Sequence, residues 1–584
     1  MWMRSVGRGA IALLLALACG CNQTGPNNAT EAKPQPSGTP FETVGRLHWL
    51  GKARLAADTN AAHFLAIWNL PEAGRLQDQT LDKLVSAFAS WFSYTNPSPA
   101  APNRTSPTAP KHTVATAPQH ALSPTASLLR PLLTDLVEEE SYVEVGSATN
   151  QPGELLLAIH LKSDRASVWQ TNLSSALSKL LSTAAIHTNG QFEWDLTRSK
   201  PRNQAAGAAA PTTNSAGFHP QSVHLDRQGD WTVLSLTCGP HSPFLSNALA
   251  QIKRDGAPFT APATNYWLDT AFDLPAVARA LSLDWHLPAN WPKIVCTVHG
   301  EAENVRTLGQ LDFPQPLAMD LPAWNIPTNL IHDPLISFGA VRGVGHLLSS
   351  LPLWKELGLK TAPDQIFAWS QAGMPVLEYI AAPWPDAGNV VRQLTAALEK
   401  RANPWLASNT MGHITNSTTS NGLIWQSAPF VTPQVESISE TSGDFVLAGL
   451  VPLVRTNLPP PQDLMREFAS GNRWAGYAWE ITGPKLDQLL YVTQLARLIG
   501  HREQMPPQAL GVEWLKAAAP KLGNCVSVLS LDSPSQISFR RKSSLGLDAF
   551  ELHVLADWLE SPHFPQGTHT LDTPPLSKPS RQLR

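Results

Sequence analysis

Cysteine is scarce in this chain of 584 residues. Of its five cysteines, the three that follow position 21, namely Cys238, Cys296 and Cys525, lie far apart and form no CxxC pair. This spacing excludes a disulfide framework and leaves room for one disulfide at most. Each of the three lies in an apolar, strand-like run, which predicts a small buried side chain rather than a reactive thiol.

Charged residues are also few, and their signs nearly balance. They make up 15% of the chain, against about 25% in average proteins. The 43 Lys and Arg and the 46 Asp and Glu give a net charge of −3, with no basic patch that could follow a phosphate backbone. The composition therefore argues against a nucleic-acid partner.

Local catalytic motifs are missing as well. No GxSxG sequence is present, so a serine nucleophile elbow is not predicted. The stretch RGVGHLLSS at 342–350 follows a predicted strand, as a phosphate-binding loop would. However, Leu348 stands where the third glycine belongs and no lysine follows, so the glycines are better explained as easing a helix start. We predict no catalytic or cofactor-binding residue.

The nearest approach to a metal-ligand cluster is formed by His219, His224 and Asp226. His224 and Asp226 are two residues apart and so share one face of a strand, and imidazole with carboxylate can bind zinc. No HExxH and no second histidine pair completes the set. The pattern favours polar side chains on the solvated face of a hairpin, and no metal is predicted.

Two clusters of like charge have similarly ordinary explanations. The acidic cluster predicts the solvated end of a helix, with a cation site or a catalytic carboxylate pair as the alternatives. Its members are Asp135, Glu138, Glu139, Glu140 and Glu144. Arg540, Arg541 and Lys542 lie on a predicted strand and indicate an exposed sheet edge, where cations oppose pairing with another molecule. Contact with anionic lipid headgroups is the alternative for this basic run.

Tryptophan is abundant, with 20 residues. Most lie in apolar runs and are predicted to pack in the core, although a lipid- or carbohydrate-binding groove would also use them. Those assigned to strands are Trp68, Trp267, Trp369 and Trp479, and those assigned to helix faces are Trp169 and Trp354.

The first residues have the features of an export signal. Arg4 and Arg8 precede an apolar stretch at 10–18, which is too short for the roughly 20 residues that cross a bilayer. Cys19 and Cys21 follow at once, each preceded by small residues. The segment resembles the lipobox of bacterial prolipoproteins, although neither cysteine has leucine three residues before it. The resemblance implies that Cys19 or Cys21, with Cys19 favoured, becomes a lipidated N-terminus; ordinary cleavage after Ala18 is the alternative.

Low-complexity segments divide the rest of the chain. Residues 22–42 are predicted to be a flexible tether, 95–124 and 199–216 disordered insertions, and 561–584 a disordered tail. Between them, strand-like and helix-like runs follow the same order twice. We therefore predict two copies of one unit, at 43–313 and 329–560, joined by a Pro-rich linker at 314–328.

Several matched elements support this duplication. HFLAIWNL and PLISFGAV are predicted as the first strands, each followed by a helix. Hairpins with Gly229-Asp230 and Gly443-Asp444 at their turns match each other, as do helix starts at Pro275 and Pro484. The predicted fold class is α+β, a tandem β-α-β-β-α-β (ferredoxin-like) unit extended by further antiparallel strands and helices.

The leader resemblance and the lack of catalytic motifs together suggest a function. They favour an exported, lipid-anchored, periplasm-facing envelope protein with a non-catalytic binding or scaffolding role. Its expected partners are the membrane, through the lipid, and an envelope protein. The alternatives are a lipid or carbohydrate carrier with a Trp-lined groove, a hydrolase whose site is assembled from distant loops, and, for the location, a soluble secreted protein.

Overall fold

The computed structural model describes most of the chain from residue 42 to residue 569. The described residues are 42–94, 122–148, 151–181, 186–188, 191–195, 222–237, 243–260, 266–281, 283, 287–288, 290–351, 354, 356–359, 361–418, 420–454, 458–471, 473–500, 505–562, 564–565 and 568–569. The predicted leader, and nearly all of the predicted tether and insertions, lie outside this part.

Twenty strands and thirteen α-helices occur in the described residues, and the strands form one sheet. All the strand pairs that the described residues form are antiparallel. The chain is therefore an α+β protein, as the sequence predicts.

The N-terminal half contributes ten strands. They are β1 Glu42–Trp49, β2 Ser141–Ala148, β3 Gln151–His160, β4 Ile186–Thr188, β5 Gln191–Asp195, β6 Ser222–Gln228, β7 Trp231–Thr237, β8 Leu268–Asp273, β9 Lys293–Glu301 and β10 Asn304–Asp312. Their spatial order is β4-β5-β6-β7-β3-β2-β1-β8-β9-β10. The helices are α1 Lys52–Leu55, α2 Ala62–Trp68, α3 Pro71–Tyr94, α4 Pro124–Glu138, α5 Ser163–Leu181, α6 Pro243–Asp255 and α7 Leu274–Ala280.

The C-terminal half contributes the other ten strands. They are β11 Leu335–Arg342, β12 Gln365–Gln371, β13 Glu378–Pro383, β14 His413–Asn416, β15 Gly422–Gln426, β16 Gln434–Glu440, β17 Gly443–Gly449, β18 Trp474–Ile481, β19 Asn524–Ser533 and β20 Gln536–Ser543. Their spatial order is β14-β15-β16-β17-β13-β12-β11-β18-β19-β20. The helices are α8 Gly345–Ser350, α9 Ala387–Ser408, α10 Gln462–Ala469, α11 Thr482–Gly500, α12 Leu510–Ala518 and α13 Ala549–Glu560.

The pairing of β10 with β20 joins the two halves into one sheet. This pairing corrects the prediction of an exposed edge at residues 540–542, because β20 is hydrogen-bonded to β19 on its other side. Arg541 is only 4% exposed and forms ion pairs with Asp548 and Glu551. Its neighbour Arg540 is exposed, as expected of the opposite face of a strand.

Two details of the predicted unit are wrong. HFLAIWNL is not a strand, because its first six residues lie in helix α2. Periodicity alone does not distinguish a strand from a helix in a short, mostly apolar run. The first strand is instead β1, at the predicted boundary of the tether. The strand order also differs from a ferredoxin-like split unit, since β2 pairs directly with β1 and no other strand separates them.

The hairpin and tail predictions are also refined. Gly229 and Asp230 form the turn between β6 and β7 as predicted. The second turn is Thr441-Ser442, two residues before the predicted Gly443-Asp444. The predicted disordered tail starts too early, because Ser561 is fully buried beside α13.

Helices from both halves share one hydrophobic core cluster. Ile67 of α2 is completely buried with Leu486 of α11 and with Val512 and Leu515 of α12. Lys83 of α3 donates hydrogen bonds to the carbonyl groups of residues 559 and 560 at the end of α13. The halves therefore meet in the helical layer as well as in the sheet. No helix in the described part is long and apolar enough to cross a membrane.

Candidate functional site: a polar pocket on the N-terminal half

A cavity of about 170 Å³ lies over strands β1, β2 and β8. We call it the polar pocket, and it is lined by Arg46, His48, Tyr142, Glu144, Gln251, Pro258, Phe259, Thr260 and Asp269. Three of these side chains are formally charged, which distinguishes the cavity from an apolar ligand groove.

The strand register places the charged side chains together. Arg46 lies opposite Glu144, and His48 lies opposite Tyr142 on one side and Asp269 on the other. Because alternate residues of a strand share a face, these side chains from three strands all point to the same side of the sheet.

Arg46 is the cation at the pocket mouth. Its guanidinium lies 3.5 Å from the carboxylate of Asp269. Tyr142 is buried, and burial together with the negative charge of Glu144, which accepts its hydrogen bond, raises the pKa of the phenol well above its usual value. Tyr142 is therefore a neutral hydrogen-bond donor at every physiological pH.

A buried histidine and a buried carboxylate form the pocket floor. His48 Nε2 is 2.9 Å from Glu140 Oε1, and Arg54 donates a hydrogen bond to the other oxygen of Glu140. Burial acts to raise the pKa of Glu140, but the hydrogen bond from His48 and the charge of Arg54 outweigh burial and lower it. Glu140 is thus ionised and fixes the orientation of the imidazole.

The segment after α6 covers the pocket. Phe259 places its ring centroid 4.0 Å from that of His48 and 5.4 Å from that of Tyr142. Trp231 donates a hydrogen bond of 3.0 Å to the carbonyl oxygen of Gly256, which ties the segment to β7. The covered site offers one cation, two carboxylates and several neutral donors to a small polar molecule.

The predicted lipidation residues Cys19 and Cys21 lie outside the described residues, as do Cys238 and His219. Cys525 is buried as predicted, and burial raises its thiol pKa to about 12. Cys296 is half-buried, burial also raises its thiol pKa, and both cysteines are free thiols.

The predicted solvated face of the β6–β7 hairpin is in fact covered. Asp226 is 7% exposed and His224 is half-buried, with burial lowering the imidazole pKa. Val233, opposite Asp226, packs in one cluster with Phe244 of α6, so this helix lies over the face. In the described part of the chain, no three His, Cys, Asp or Glu side chains are placed to hold a metal ion.

The acidic cluster is not uniformly solvated, contrary to the prediction. Asp135 is buried and accepts hydrogen bonds from Arg165 at 2.7 Å and from the indole of Trp169 at 2.9 Å. Glu144 lines the polar pocket, and Glu140 contacts His48 at its floor. Asp135 therefore links α4 to α5, and Glu140, just before β2, contacts His48 of β1 and Arg54 of α1.

In the glycine-containing loop before α8, a carboxylate of the protein itself accepts the hydrogen bonds of the backbone amide groups. The carboxylate of Asp364 accepts hydrogen bonds from the amide groups of Gly343 and Gly345 at 3.1 and 3.2 Å. Arg342 is buried and donates to the carbonyl oxygens of Pro322 and Trp474. The loop thus begins a helix, as predicted.

Most of the tryptophans singled out from the sequence pack in the core. Trp169, Trp267 and Trp369 are at most 3% exposed. Trp68 lies on α2 rather than on a strand, and Trp354 stacks on Trp384 with centroids 5.9 Å apart. Core packing is thus the role of Trp169, Trp267 and Trp369.

Sequence reasoning missed the polar pocket. The alternation of Arg46 and His48 in ETVGRLHW was a usable strand signal, but this run lies at the tether boundary. Asp269 is more than 200 residues away from Arg46, and only the pairing of β1 with β8 brings them together. Comparison of the chain with protein families, curated proteins and solved structures finds no match.

Proposed function

We propose that the protein is an exported, lipid-anchored envelope protein with a non-catalytic binding or scaffolding role. One observation carries the proposal: a short apolar stretch after Arg4 and Arg8 leads directly into Cys19 and Cys21. Several acyl chains on one cysteine would hold the body at a membrane, since each buried CH₂ contributes about 0.8 kcal/mol.

Mass spectrometry of the mature N-terminus tests this proposal. Expression in a bacterium with lipoprotein-processing enzymes should give a protein that begins with a diacylated or triacylated cysteine. Replacing Cys19 with serine should abolish acylation if Cys19 is the site, whereas Cys21→Ser should not. A free amino group at residue 19 on an otherwise unmodified chain would contradict the anchor and favour a soluble secreted protein.

We further propose that the two halves arose by tandem duplication. The support is that the two halves have the same strand order. If ten is added to each strand number of the N-terminal half, its order becomes that of the C-terminal half. The long helix after β3 also matches the long helix after β13, α5 and α9 respectively. An experimental structure in which the order of strands differs between the halves would refute it.

A second candidate function is binding or hydrolysis of a small polar molecule in the polar pocket. The observation that favours it is the pair His48 and Glu140, because an imidazole oriented by an ionised carboxylate is the usual arrangement of a general base. Hydrolysis of p-nitrophenyl acetate is the test. His48→Asn should abolish turnover, and His553→Asn, a buried histidine of α13, should not. Equal rates for both variants and the unaltered protein would exclude hydrolysis by His48 and leave binding as the pocket's role.

A lipid or carbohydrate carrier with a Trp-lined groove receives less support than the envelope role or the function of the polar pocket. The described residues at the joint between the halves are a continuous pair of strands and a shared apolar core. Neither of the cavities at Arg46 and at Asn329 is lined by tryptophan.

A further inference from the structure

The charges that converge on the polar pocket do not cancel. Its lining contains the carboxylates of Glu144 and Asp269 and a single cation, Arg46. At its floor, the carboxylate of Glu140 is matched by the guanidinium of Arg54, which donates a hydrogen bond to it. Three carboxylates and two guanidinium groups leave one net negative charge while the imidazole at the floor is neutral.

The two carboxylates of the lining differ in how far their oxygens are already used. Glu144 accepts hydrogen bonds from the hydroxyl groups of Thr43 and Tyr142. Asp269 lies 3.5 Å from Arg46, which is longer than a charge-assisted hydrogen bond of about 2.7–2.9 Å. Its carboxylate accepts no hydrogen bond from any residue that the structure describes, and its side chain is only 18% exposed. Asp269 therefore keeps acceptor sites for a ligand.

His48 adds a second unused acceptor. The residue is 7% exposed, and its Nε2 is 2.9 Å from Glu140 Oε1. Because an ionised carboxylate only accepts, Nε2 carries the proton of this hydrogen bond, and Nδ1 of the neutral ring is an acceptor. Nδ1 has no hydrogen-bond partner among the described residues, although polar atoms of buried side chains normally have one. A donor on a ligand would satisfy it.

The two unused acceptors lie close together. His48 is directly opposite Asp269 across β1 and β8, which places their Cβ atoms about 4.5–5.5 Å apart. The ring of Phe259 borders them, with its centroid 4.0 Å from that of the imidazole. Carboxylates and aromatic faces both attract an ammonium group. The cavity of about 170 Å³ has room for roughly six non-hydrogen atoms, since a cavity of about 150 Å³ holds benzene.

The C-terminal half has aromatic side chains at the corresponding position. Strand β11 is flanked by β12 and β18, as β1 is flanked by β2 and β8. Gly51 follows β1 with φ 88°, and Gly343 follows β11 with φ 75°. After alignment of these two glycines, the pocket residues on strands correspond to Phe338, Ala340, Phe367, Trp369 and Tyr477.

This aromatic cluster is tightly packed. Each of its five side chains is at most 3% exposed. Phe468 of α10 contacts three of their rings, with centroids 5.4–6.4 Å apart. The same strand arrangement can thus be filled by apolar side chains, which avoids the cost of burying charges. Because the fold does not require a charged lining, the charges of the polar pocket are better explained by a ligand.

We propose that the polar pocket binds a small organic cation whose primary ammonium group donates to Asp269 and to Nδ1 of His48. This inference rests on the second candidate function, binding in the polar pocket, and names its ligand class. An ammonium group supplies three donors to the unused acceptors, and its charge cancels the net negative charge. An anion of the same size would instead meet the two carboxylates of the lining.

Calorimetric titration of the full-length protein with n-butylamine, n-butanol and butyrate tests the proposal. The three probes are similar in size, and at neutral pH they are cationic, neutral and anionic. n-Butylamine should bind at least about tenfold more tightly than the other two, as one charge-assisted hydrogen bond predicts. Equal or tighter binding of n-butanol or butyrate would overturn the ligand class and leave the pocket as a binding site. Absence of binding by all three would refute the binding role of the pocket as well.

Two variants should gain affinity, which loss of folding cannot produce. Arg46→Gln removes the only cation of the lining and should bind n-butylamine several-fold more tightly. Glu144→Gln combined with Asp269→Asn leaves that cation alone on the lining and should reverse the preference in favour of butyrate. Asp463→Asn, at an exposed side chain of α10, is the control and should bind like the unaltered protein. Weaker n-butylamine binding by Arg46→Gln, or an unchanged preference in the double variant, would overturn the inference.

Discussion

Leu308 and Arg540 lie directly opposite each other across β10 and β20, and each is the fifth residue of its strand. Outward from this pair, the strand order β10-β9-β8-β1 on one side corresponds to β20-β19-β18-β11 on the other. This geometry places the residues next to Arg540 in the middle of the molecule, where their burial has consequences for stability.

Replacing Arg541 with leucine should destabilise the protein strongly. The change leaves Asp548 and Glu551 without their buried cation, and breaking a buried ion pair from one side costs about 3–5 kcal/mol. Chemical denaturation followed by tryptophan fluorescence measures the loss. Arg540→Leu is the matched control, and because Arg540 is exposed its effect should stay within about 0.5 kcal/mol. Equal effects of the two variants would contradict the buried joint.

Glu480 should make the protein less stable as the pH rises. Burial raises the pKa of its carboxyl from 4.5 to about 7, and the charge of Asp548 acts in the same direction. Between these two values the folded state keeps a proton that the unfolded state has released. The free energy of unfolding therefore falls as the pH rises through this window, by up to about 3 kcal/mol, and is level above it.

The variant Glu480→Gln tests this pH dependence. Glutamine can still accept the hydrogen bond from the amide of Ala549, which is 2.8 Å long in the native protein, but it does not titrate. Thermal unfolding midpoints on either side of the window should then differ less than in the unaltered protein. Glu513→Gln, at an exposed ion pair with Arg75, is the control and should keep the native pH profile. An unchanged profile in the Glu480 variant would refute the assignment.

Two glycines should respond in opposite directions to replacement by alanine. Gly51 has φ 88°, and an added Cβ would lie 2.5 Å from the carbonyl carbon of Glu139. Gly51→Ala should therefore lower the free energy of unfolding by more than about 1 kcal/mol. Gly74 lies in α3 with open space around it, so Gly74→Ala should raise the free energy of unfolding by about 0.5–1 kcal/mol. Circular dichroism melts of both variants give the comparison, and a stabilising Gly51→Ala would contradict the close approach.

Asp135 should matter more to stability than Glu139, another member of the acidic cluster. Asp135→Asn removes the charge that accepts hydrogen bonds from Arg165 and Trp169, at an expected cost of about 1.5–3 kcal/mol. Glu139→Gln, in the same cluster, should change stability by less than about 0.5 kcal/mol. Denaturant midpoints measure both, and a larger effect at Glu139 would refute this division of the cluster.

Local sequence patterns anticipated many individual elements. The apolar spacing around Trp169 and Val390 predicts α5 and α9, and Gly229-Asp230 predicts the first hairpin turn. These features follow from contacts between residues close in the chain, which helical or alternating periodicity records directly. The run at Trp68 was misassigned because a mostly apolar run of eight residues fits either period.

Local sequence patterns did not predict the polar pocket. The polar pocket joins side chains of β1, β2 and β8. A strand's pattern shows which of its residues share a face, but not which strand lies beside it. The exposed fraction of Phe430 and the burial of Asp226 depend on those neighbours.

The sequence by itself determined the α+β composition and several individual helices and turns, because propensity and periodicity act locally. Only the tertiary structure decided that the two halves pair through β10 and β20. It also decided that Arg541 is buried while Arg540 is exposed. The physical reason is that pairing partners more than 200 residues apart are selected by the packing of the whole sheet and its helices, which no single stretch of the chain encodes.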